Sequence, residues 1–298
     1  MRALVTGGAG FIGSHLVDAL VTRDDDVVVL DDLSTGRREF LNPAARLVEH
    51  DVREPFETDA ELVFHLAAQA DVGTSMERPG FDAQVNVVGT VNVLEAARAA
   101  GAHVVFSSTG GAIYGGVDGP AREDAPLLPV SAYGLAKRSA EVYLDGWNRI
   151  FGSGHVVLRL ANVYGPRQSA ALEGGVIAIF LDRLRSGEPT AIFGDGTFTR
   201  DFVHVYDVVR ACLIAGGRRG GIFNVGTGVE TSIAELHAIC ERAVGVSAPP
   251  RFDPPRPGDA PRSVLDPSLA TAELGFTATI GLADGIAATL AADVPGKD

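Results

Sequence analysis

Ala3-Leu4-Val5-Thr6-Gly7-Gly8-Ala9-Gly10-Phe11-Ile12-Gly13-Ser14 begins as a short apolar run, passes three evenly spaced glycines (Gly7, Gly10, Gly13) and enters a helical pattern. The overlapping Gly8-x-Gly10-x-x-Gly13 also satisfies the fingerprint of a dinucleotide-binding turn. One glycine permits the tight turn, one lets the backbone touch a pyrophosphate, and the third lets the helix pack closely on the strand. The helix N-terminus then presents N–H groups and partial positive charge to the phosphates. Glycines in this pattern also serve purely structural turns, but here a strand precedes them and a helix follows.

Outward from this turn, short β-branched runs alternate with longer helical patterns. Ala3–Thr6, Val27–Leu30, Arg46–Glu49, Leu62–Leu66, His103–Ser107 and His155–Leu160 are predicted strands, several of them apolar on both faces. Phe11–Thr22, Phe81–Ala100 and Ala132–Phe151 are predicted helices. The alternation predicts an α/β fold, a Rossmann-type doubly wound parallel sheet. Residues 1–165 form the dinucleotide-binding domain in this reading. Residues 166–298 form a smaller α/β substrate lobe, with some segments returning to the first domain. In that lobe Gly174–Arg185, Asp207–Ala215, Ser232–Val244, Pro267–Leu274 and Leu282–Ala292 are predicted helical, and Thr190–Phe193 and Asp201–Val205 are predicted strands. The proline-rich stretch Pro249–Pro257 is predicted to be an ordered loop or linker, since proline removes ladder donors. The tail Val294–Asp298 is expected to fray.

The 298 residues carry 25 Lys+Arg against 38 Asp+Glu, a net charge of −13, which argues against nucleic acid or an anionic membrane surface as partner. Apolar residues make up 46%, enough for a large core. No apolar run approaches the length of a membrane span, and the first apolar residues stop at Gly7-Gly8, so a cytoplasmic protein is expected. Cys212 and Cys240 lie far apart with no His/Cys cluster around them, which predicts two buried thiols and no metal site.

The second strand ends at Asp31, 18 residues beyond Gly13. An acid near that spacing accepts hydrogen bonds from adenosine ribose hydroxyls and repels a 2′-phosphate, which favours NAD over NADP. The blander reading is a turn cap in Asp31-Asp32-Leu33-Ser34-Thr35-Gly36, and Arg37 and Arg38 keep NADP open. Tyr133 and Lys137 stand four residues apart on a predicted helix, so phenol and ammonium share a face. A free phenol has a pKa of about 10, and an adjacent ammonium with the positive nicotinamide ring is expected to lower it. Such a tyrosine can exchange a proton with a hydroxyl. The strand His103–Ser107 ends in hydroxyls, Ser107-Ser108-Thr109, on the sheet edge where doubly wound folds bind ligands.

Together these residues resemble the extended short-chain dehydrogenase/reductase family, and within it the UDP-glucose 4-epimerase family. The likeness rests on Thr6–Ser14, Phe64-His65-Leu66-Ala67-Ala68-Gln69, Asn86-Val87-Val88-Gly89-Thr90, Tyr133 with Lys137, Asn162-Val163-Tyr164-Gly165-Pro166-Arg167, and Gly194–Phe202. The resemblance implies a tightly bound NAD and a UDP-sugar substrate. It puts the pyrophosphate on the backbone of Phe11 and Ile12 within Gly7–Gly13, with Asp31, Asp32, Ser34, Thr35 and Gly36 around the ribose. Asp51 and Val52 would border the adenine, and Leu66, Ala67, Ala68, Asn86 and Ser107 would line the cofactor channel. Lys137 would hold the nicotinamide ribose as well as tune Tyr133. The hydroxyl relay falls best on Thr109, with Ser108 as second choice because Gly110-Gly111 lengthens the loop. For the nucleotide-sugar it implies Asn162, Val176, Ala191, Phe193, Arg200, Arg256 and Ser263, with Arg200 and Arg256 on the diphosphate. The implied reaction is transient oxidation at C4, a turn of the 4-keto sugar and reduction on the other face, interconverting UDP-glucose and UDP-galactose. A homodimer is implied through the helices Phe81–Ala100 and Ala132–Phe151; Val88, Val91 and Leu94 are candidates to face the partner, and their spacing is equally consistent with a covering role inside the monomer.

Neighbouring activities stay in view. A 4,6-dehydratase needs an acid pair where Gly110 and Gly111 stand, which disfavours dehydration. A glucuronate 4-epimerase needs a cation for the carboxylate, and Gln168-Ser169 follow Arg167 where some relatives carry a second arginine, though Arg185 could substitute. Ser263 at the sugar-pocket gate leaves room for an N-acetyl group. A non-catalytic dinucleotide sensor would be expected to lack the Tyr133/Lys137 pair.

Overall fold

A computed structural model describes residues 1–170, 175–255 and 260–292. Its strands in chain order are β1 (Arg2–Thr6), β2 (Asp26–Asp31), β3 (Arg46–Glu49), β4 (Leu62–His65), β5 (His103–Thr109), β6 (Val156–Leu160), β7 (Asn162–Tyr164), β8 (Ala191–Phe193), β9 (Thr199–Arg200), β10 (Phe202–His204), β11 (Ile222–Val225), β12 (Thr231–Ser232), β13 (Arg251–Asp253) and β14 (Arg262–Ser263). Its helices are α1 (Phe11–Thr22), α2 (Val72–Glu77), α3 (Pro79–Ala83), α4 (Gly89–Ala100), the short α5 (Gly110–Ile113), α6 (Ala132–Phe151), α7 (Val176–Ser186), α8 (Val205–Ala215), α9 (Ile233–Val244) and α10 (Leu282–Ala291). No described helix is long and apolar enough to cross a membrane.

Seven parallel strands form the central sheet in the order β3-β2-β1-β4-β5-β6-β11. The chain winds outward from β1 to β3, returns to β4 on the other side of β1, and continues to β11. The switch point therefore lies between β1 and β4, and it opens a crevice at their carboxyl ends. On one face α1 and α8 bury Leu16, Leu20, Val208 and Cys212 against Val5, Val29, Phe64 and Leu158. On the other, α4 and α6 bury Val93, Leu94, Ala140 and Leu144 against Leu4, Val63 and Phe106. A third cluster joins Phe180, Leu184, Leu236, Cys240 and Ile286 of α7, α9 and α10 beneath β8 and β10. Each fully buried Leu or Phe is worth about 1.5–3 kcal/mol, and this is what turns the apolar periodicity into layers.

Several features add to or depart from the sequence reading. The predicted helix Phe81–Ala100 is present and runs on from Pro79, but it carries a π turn over Gln84–Val88, where Gly89 N–H donates to the Gln84 carbonyl. The proline-rich stretch does contain a strand: β13 pairs in parallel with β8, Phe252 opposite Ile192, and the prolines flank the ladder rather than occupy it. Ile222–Val225, not predicted as a strand, is the edge of the central sheet, with Phe223 opposite Leu158 on β6. Leu94 is fully buried, so it packs within the monomer, whereas Val88 is exposed. Gly174, the predicted start of α7, and the tail Val294–Asp298 lie outside the described residues.

Candidate active site

The glycine turn is a backbone cradle. Gly7 has φ +70°, and a Cβ there would lie 2.6 Å from Ala67 N; one on Gly13 would lie 2.1 Å from the Gly7 carbonyl oxygen. A Cβ on Gly10, in contrast, would meet only Gly7 O at 3.3 Å, so this rim of the cradle is open. The α1 N-terminus begins at Gly10 with no capping side chain and no acid in its first turn. The first-turn N–H groups of Phe11, Ile12 and Gly13 are thus disposed toward an anion. This arrangement fits a dinucleotide pyrophosphate.

Asp31 at the end of β2 is buried, and its two oxygens accept from Ala9 N and Leu33 N, each at 2.9 Å. It therefore clamps the glycine turn to the next loop, where a Cβ on Gly36 would lie 2.7 Å from Asp31 Oδ1. Burial pushes its carboxyl up, partly offset by those two N–H bonds. Each oxygen keeps a lone pair for a ribose hydroxyl, so the turn-capping and ribose-binding readings coexist at one residue. Asp32 is exposed and accepts from Ser34 N (3.0 Å) and Ser34 Oγ (2.6 Å); Thr35 beside them is exposed too. Arg37 lies over the Phe40 ring and Arg38 pairs with Glu49, so both cations are engaged within the protein. Asp51 is paired with Arg53, whose side-chain hydrogen bonds hold its carboxyl below the usual range. Val52 is buried against Gly89.

The loop after β4 is tied to β1 and to the π turn. Leu66 N donates to Thr6 O at 3.1 Å, and Ala67 N to Thr6 Oγ1 at 3.3 Å. Leu66, Ala67 and Ala68 remain partly accessible. Asn86 is buried, accepts from Gln69 N (3.1 Å) and donates to Gln69 O (2.9 Å) and Asp82 Oδ1 (3.0 Å). It is thus a fastening for the Leu66–Gln69 loop. Sequence reasoning misses Gln69 and Asp82 as site residues; the available signals are the place of Gln69 at the end of Phe64–Gln69 and of Asp82 one turn before Asn86.

Tyr133 and Lys137 lie near the start of α6, which Ser131 caps by accepting from Gly134 N at 3.1 Å. Lys137 is buried; its Nζ donates to Ser107 O at 3.0 Å and lies 4.8 Å from the Phe106 ring centre. Gly134 brings α6 against the β5–α5 turn, where Thr109 caps α5 by accepting from Ala112 N at 3.2 Å. Thr109 provides the hydrogen bond to the Tyr133 phenol, while Ser108 Oγ is buried and has no hydrogen-bond partner among the described residues. Taken together, the polypeptide's own groups do not lower the Tyr133 phenol; the sequence reading assigns the lowering to Lys137 together with the positive nicotinamide ring. Burial pushes the phenol up to about 12, Thr109 draws it down, and Asp82 pushes it further up. Burial likewise brings Lys137 down to about 8, opposed by Asp82 and Glu141.

The sugar side adjoins this pair. A Cβ on Gly111 would lie 3.1 Å from Asn162 Oδ1 and 3.9 Å from both Ser263 Oγ and Thr109 Oγ1, so these three side chains converge on one glycine. Ser263 on β14 is the register partner of Arg200 on β9, and Asn162 on β7 that of Phe202 on β10. Arg200 donates to the Thr199 carbonyl at 2.8 Å and is half-buried. Ala191 and Phe193 pair with Arg251 and Asp253, and a cavity of about 640 Å³ opens beside them, lined by Gly194, Asp195, Phe198, Phe252, Asp253 and Pro255. Val176, at the start of α7, is partly buried and packs against the third apolar cluster. Arg256 lies outside the described residues. Among the described residues no group of three or more His, Cys, Asp or Glu could hold a metal ion.

Behind α6 lies a buried polar network that sequence reasoning missed. Glu141, one turn beyond Lys137, accepts from Arg159 at 2.7 and 3.0 Å; Arg159 also donates to Tyr114 Oη (2.8 Å), and Tyr114 donates to Asn224 Oδ1 (2.7 Å) on β11.

A dinucleotide cradle at a switch point, followed by a Tyr/Lys pair over β5, defines a nucleotide-dependent oxidoreductase-type site. The chain belongs to the NAD dependent epimerase/dehydratase family, whose model matches residues 3–226, and its cofactor is accordingly NAD. It is 49% identical, across 97% of each chain, to UDP-glucose 4-epimerase of Mycolicibacterium smegmatis. Among solved structures it matches UDP-glucose 4-epimerase from Thermotoga maritima with UDP-glucose (TM-score 0.94, 42% identity, 97% of each chain). It also matches Thermus thermophilus UDP-glucose 4-epimerase complexed with NAD (TM-score 0.91, 41% identity, 97% of this chain and 98% of that one).

Proposed function

We propose that this protein interconverts UDP-glucose and UDP-galactose by inverting C4 of the hexose. The observation that carries the reading is the convergence of Thr109, Asn162 and Ser263 around Gly111 beside the Tyr133 phenol. The cradle of Gly7, Gly10, Phe11, Ile12 and Gly13 holds the NAD pyrophosphate, Asp31 takes the adenosine ribose, and Lys137 takes the nicotinamide ribose. Bound NAD supplies a reversible hydride acceptor and, when oxidised, a positive charge. Tyr133 as phenolate accepts the proton of the C4 hydroxyl and returns it to the C4 oxygen when the ketone is reduced on its other face, with Thr109 as hydrogen-bonding relay. Arg200 anchors the diphosphate by its guanidinium fork. Inversion requires the 4-keto sugar to present both faces, and the small residues Gly111 and Ser263 leave it room to turn. The same room suits an N-acetyl group at C2, so UDP-N-acetylglucosamine is the second substrate this pocket favours.

The exposed apolar residues Leu135, Val142, Tyr143 and Ile150 on α6 suit a homodimer interface. Two free buried thiols in separate clusters, Cys212 and Cys240, suit the reducing cytoplasm. Incubation of the NAD-loaded protein with UDP-glucose, with product stereochemistry read by NMR, is expected to give UDP-galactose. Bound NAD with no turnover of any UDP-hexose would overturn the assignment.

A further inference from the structure

Lys137 is an ammonium held among neutral hydrogen-bonding and ring partners, the Ser107 carbonyl and the Phe106 ring. A buried ammonium needs opposite charge to stay protonated. The groups around it are Tyr133 and Glu141 on its own helix, His65 on β4 and Asp82 on α3, which packs on α6. His65 is held neutral by burial and by Lys137 itself, its pKa brought down to about 3. Glu141 is already engaged, through both oxygens, by Arg159.

Asp82 differs from Glu141. It is 1% exposed, and its Oδ1 accepts from two neutral amides, Gln69 Nε2 at 2.9 Å and Asn86 Nδ2 at 3.0 Å. Its Oδ2 has no hydrogen-bond partner among the described residues, and no cation forms an ion pair with it there. Burying a carboxylate with one bare oxygen is costly: burial pushes the Asp82 carboxyl up, while the Gln69 and Asn86 amides and the Lys137 charge draw it back down. Asp82 and Asn86 share one face across the π turn, the kind of helix defect that often sits at functional sites.

We propose, on the reading of Tyr133 and Lys137 as the proton-transfer pair, that Asp82 is a positioning residue: the buried counter-charge that keeps Lys137 an ammonium at neutral pH. Its charge acts on both members of the pair, sustaining the lysine proton and resisting the phenolate. Asp82→Asn keeps the Oδ1 acceptor for Gln69 and Asn86 and removes only the charge.

The test follows the Lys137 ammonium directly, by pH titration of NMR signals from ε-¹³C-lysine in the NAD-loaded protein, with the Lys137 signal identified by its loss in Lys137→Arg. Asp82→Asn is expected to move that titration down by about one pH unit and to move the alkaline limb of kcat on UDP-glucose with it. Asp82→Glu should restore the parental titration, and in a Lys137→Arg background, where the cation cannot titrate, Asp82→Asn should shift no alkaline limb that remains. Asp82→Ser provides a second neutral variant should Asn fold poorly. Parental Lys137 titration in the neutral variants, or a limb shift that persists in the Lys137→Arg background, would overturn the role. Absence of turnover would strike the proposed reaction while leaving the NMR titration to decide on Asp82.

Discussion

Gly134 lies so close to Ala112 that a Cβ added to it would sit 2.5 Å from the Ala112 carbonyl oxygen. That approach sets the start of α6 against the Thr109–Ala112 turn, and it is how Tyr133 reaches Thr109. Gly134→Ala is therefore expected to push the helix off the turn, at an overpacking cost of about 1–3 kcal/mol. A displacement near 1 Å at reacting groups can cost about 100-fold. We expect kcat on UDP-glucose to fall by ~10- to 100-fold while NAD affinity, set by the Gly7–Gly13 cradle, holds. A parental kcat would show that the close approach does not position the phenol.

Ser263 stands beside Arg200 in the β14–β9 ladder and faces Gly111. Ser263→Tyr places a ring in that space. Turnover of UDP-N-acetylglucosamine is expected to drop at least about tenfold relative to UDP-glucose, the scale of steric discrimination in a pocket. Competition assays with both substrates measure the ratio; an unaltered ratio places the C2 substituent elsewhere.

Glu141 and Arg159 form an ion pair with both side chains almost fully buried, at 2.7 Å. Removing one partner leaves the other charge uncompensated, at about 3–5 kcal/mol. Glu141→Leu and Arg159→Met singly should each show that loss in urea unfolding, and the double variant should lose clearly less than their sum. Strict additivity would mean that the two charges are not coupled.

Buried neutral histidines give the fold an acid limit. Burial brings His155 down to about 4 and His65 to about 3, whereas the unfolded chain takes these protons near 6.5. The folded values are the lower ones, so stability is intact above about pH 6.5 and falls as pH drops through the folded values, with a total of several kcal/mol at stake. Urea midpoints at pH 7 and pH 5 measure the slope. His155→Asn, which preserves an acceptor for Val104 N (3.1 Å to His155 Nδ1), should flatten it. A slope identical to the parent's would assign the acid sensitivity to other groups.

Elements that carry their own boundary signals were legible in the sequence. α1 begins at the glycine turn, and α6 has Ser131 to start it and Gly152, in the left-handed region, to stop it; both spans agree with the sequence reading. The Tyr133/Lys137 face followed from helical spacing. What stayed hidden depends on partners distant in sequence. Ile222–Val225 is a four-residue run with Asn224 in its middle, and only the Tyr114, Ala121 and Asp266 groups that satisfy that amide make it a buried strand. Arg251–Asp253 looks like loop because its flanking prolines are visible, whereas its pairing with β8, itself a predicted strand, is not. The burial that raises the Tyr133 phenol in the polypeptide is hidden for the same reason: charge spacing along one helix can be read locally, but desolvation by the surrounding elements cannot.

The return of the chain to the central sheet carries a practical consequence. With β11 laid along β6 and α8 seated on α1, the part that grips the sugar also completes the scaffold that grips the dinucleotide. A fragment ending near residue 165 would leave an apolar strand with an unsatisfied backbone edge, ready to associate with other chains. Chimeras between relatives should then tolerate exchange of surface loops far better than a swap of whole halves.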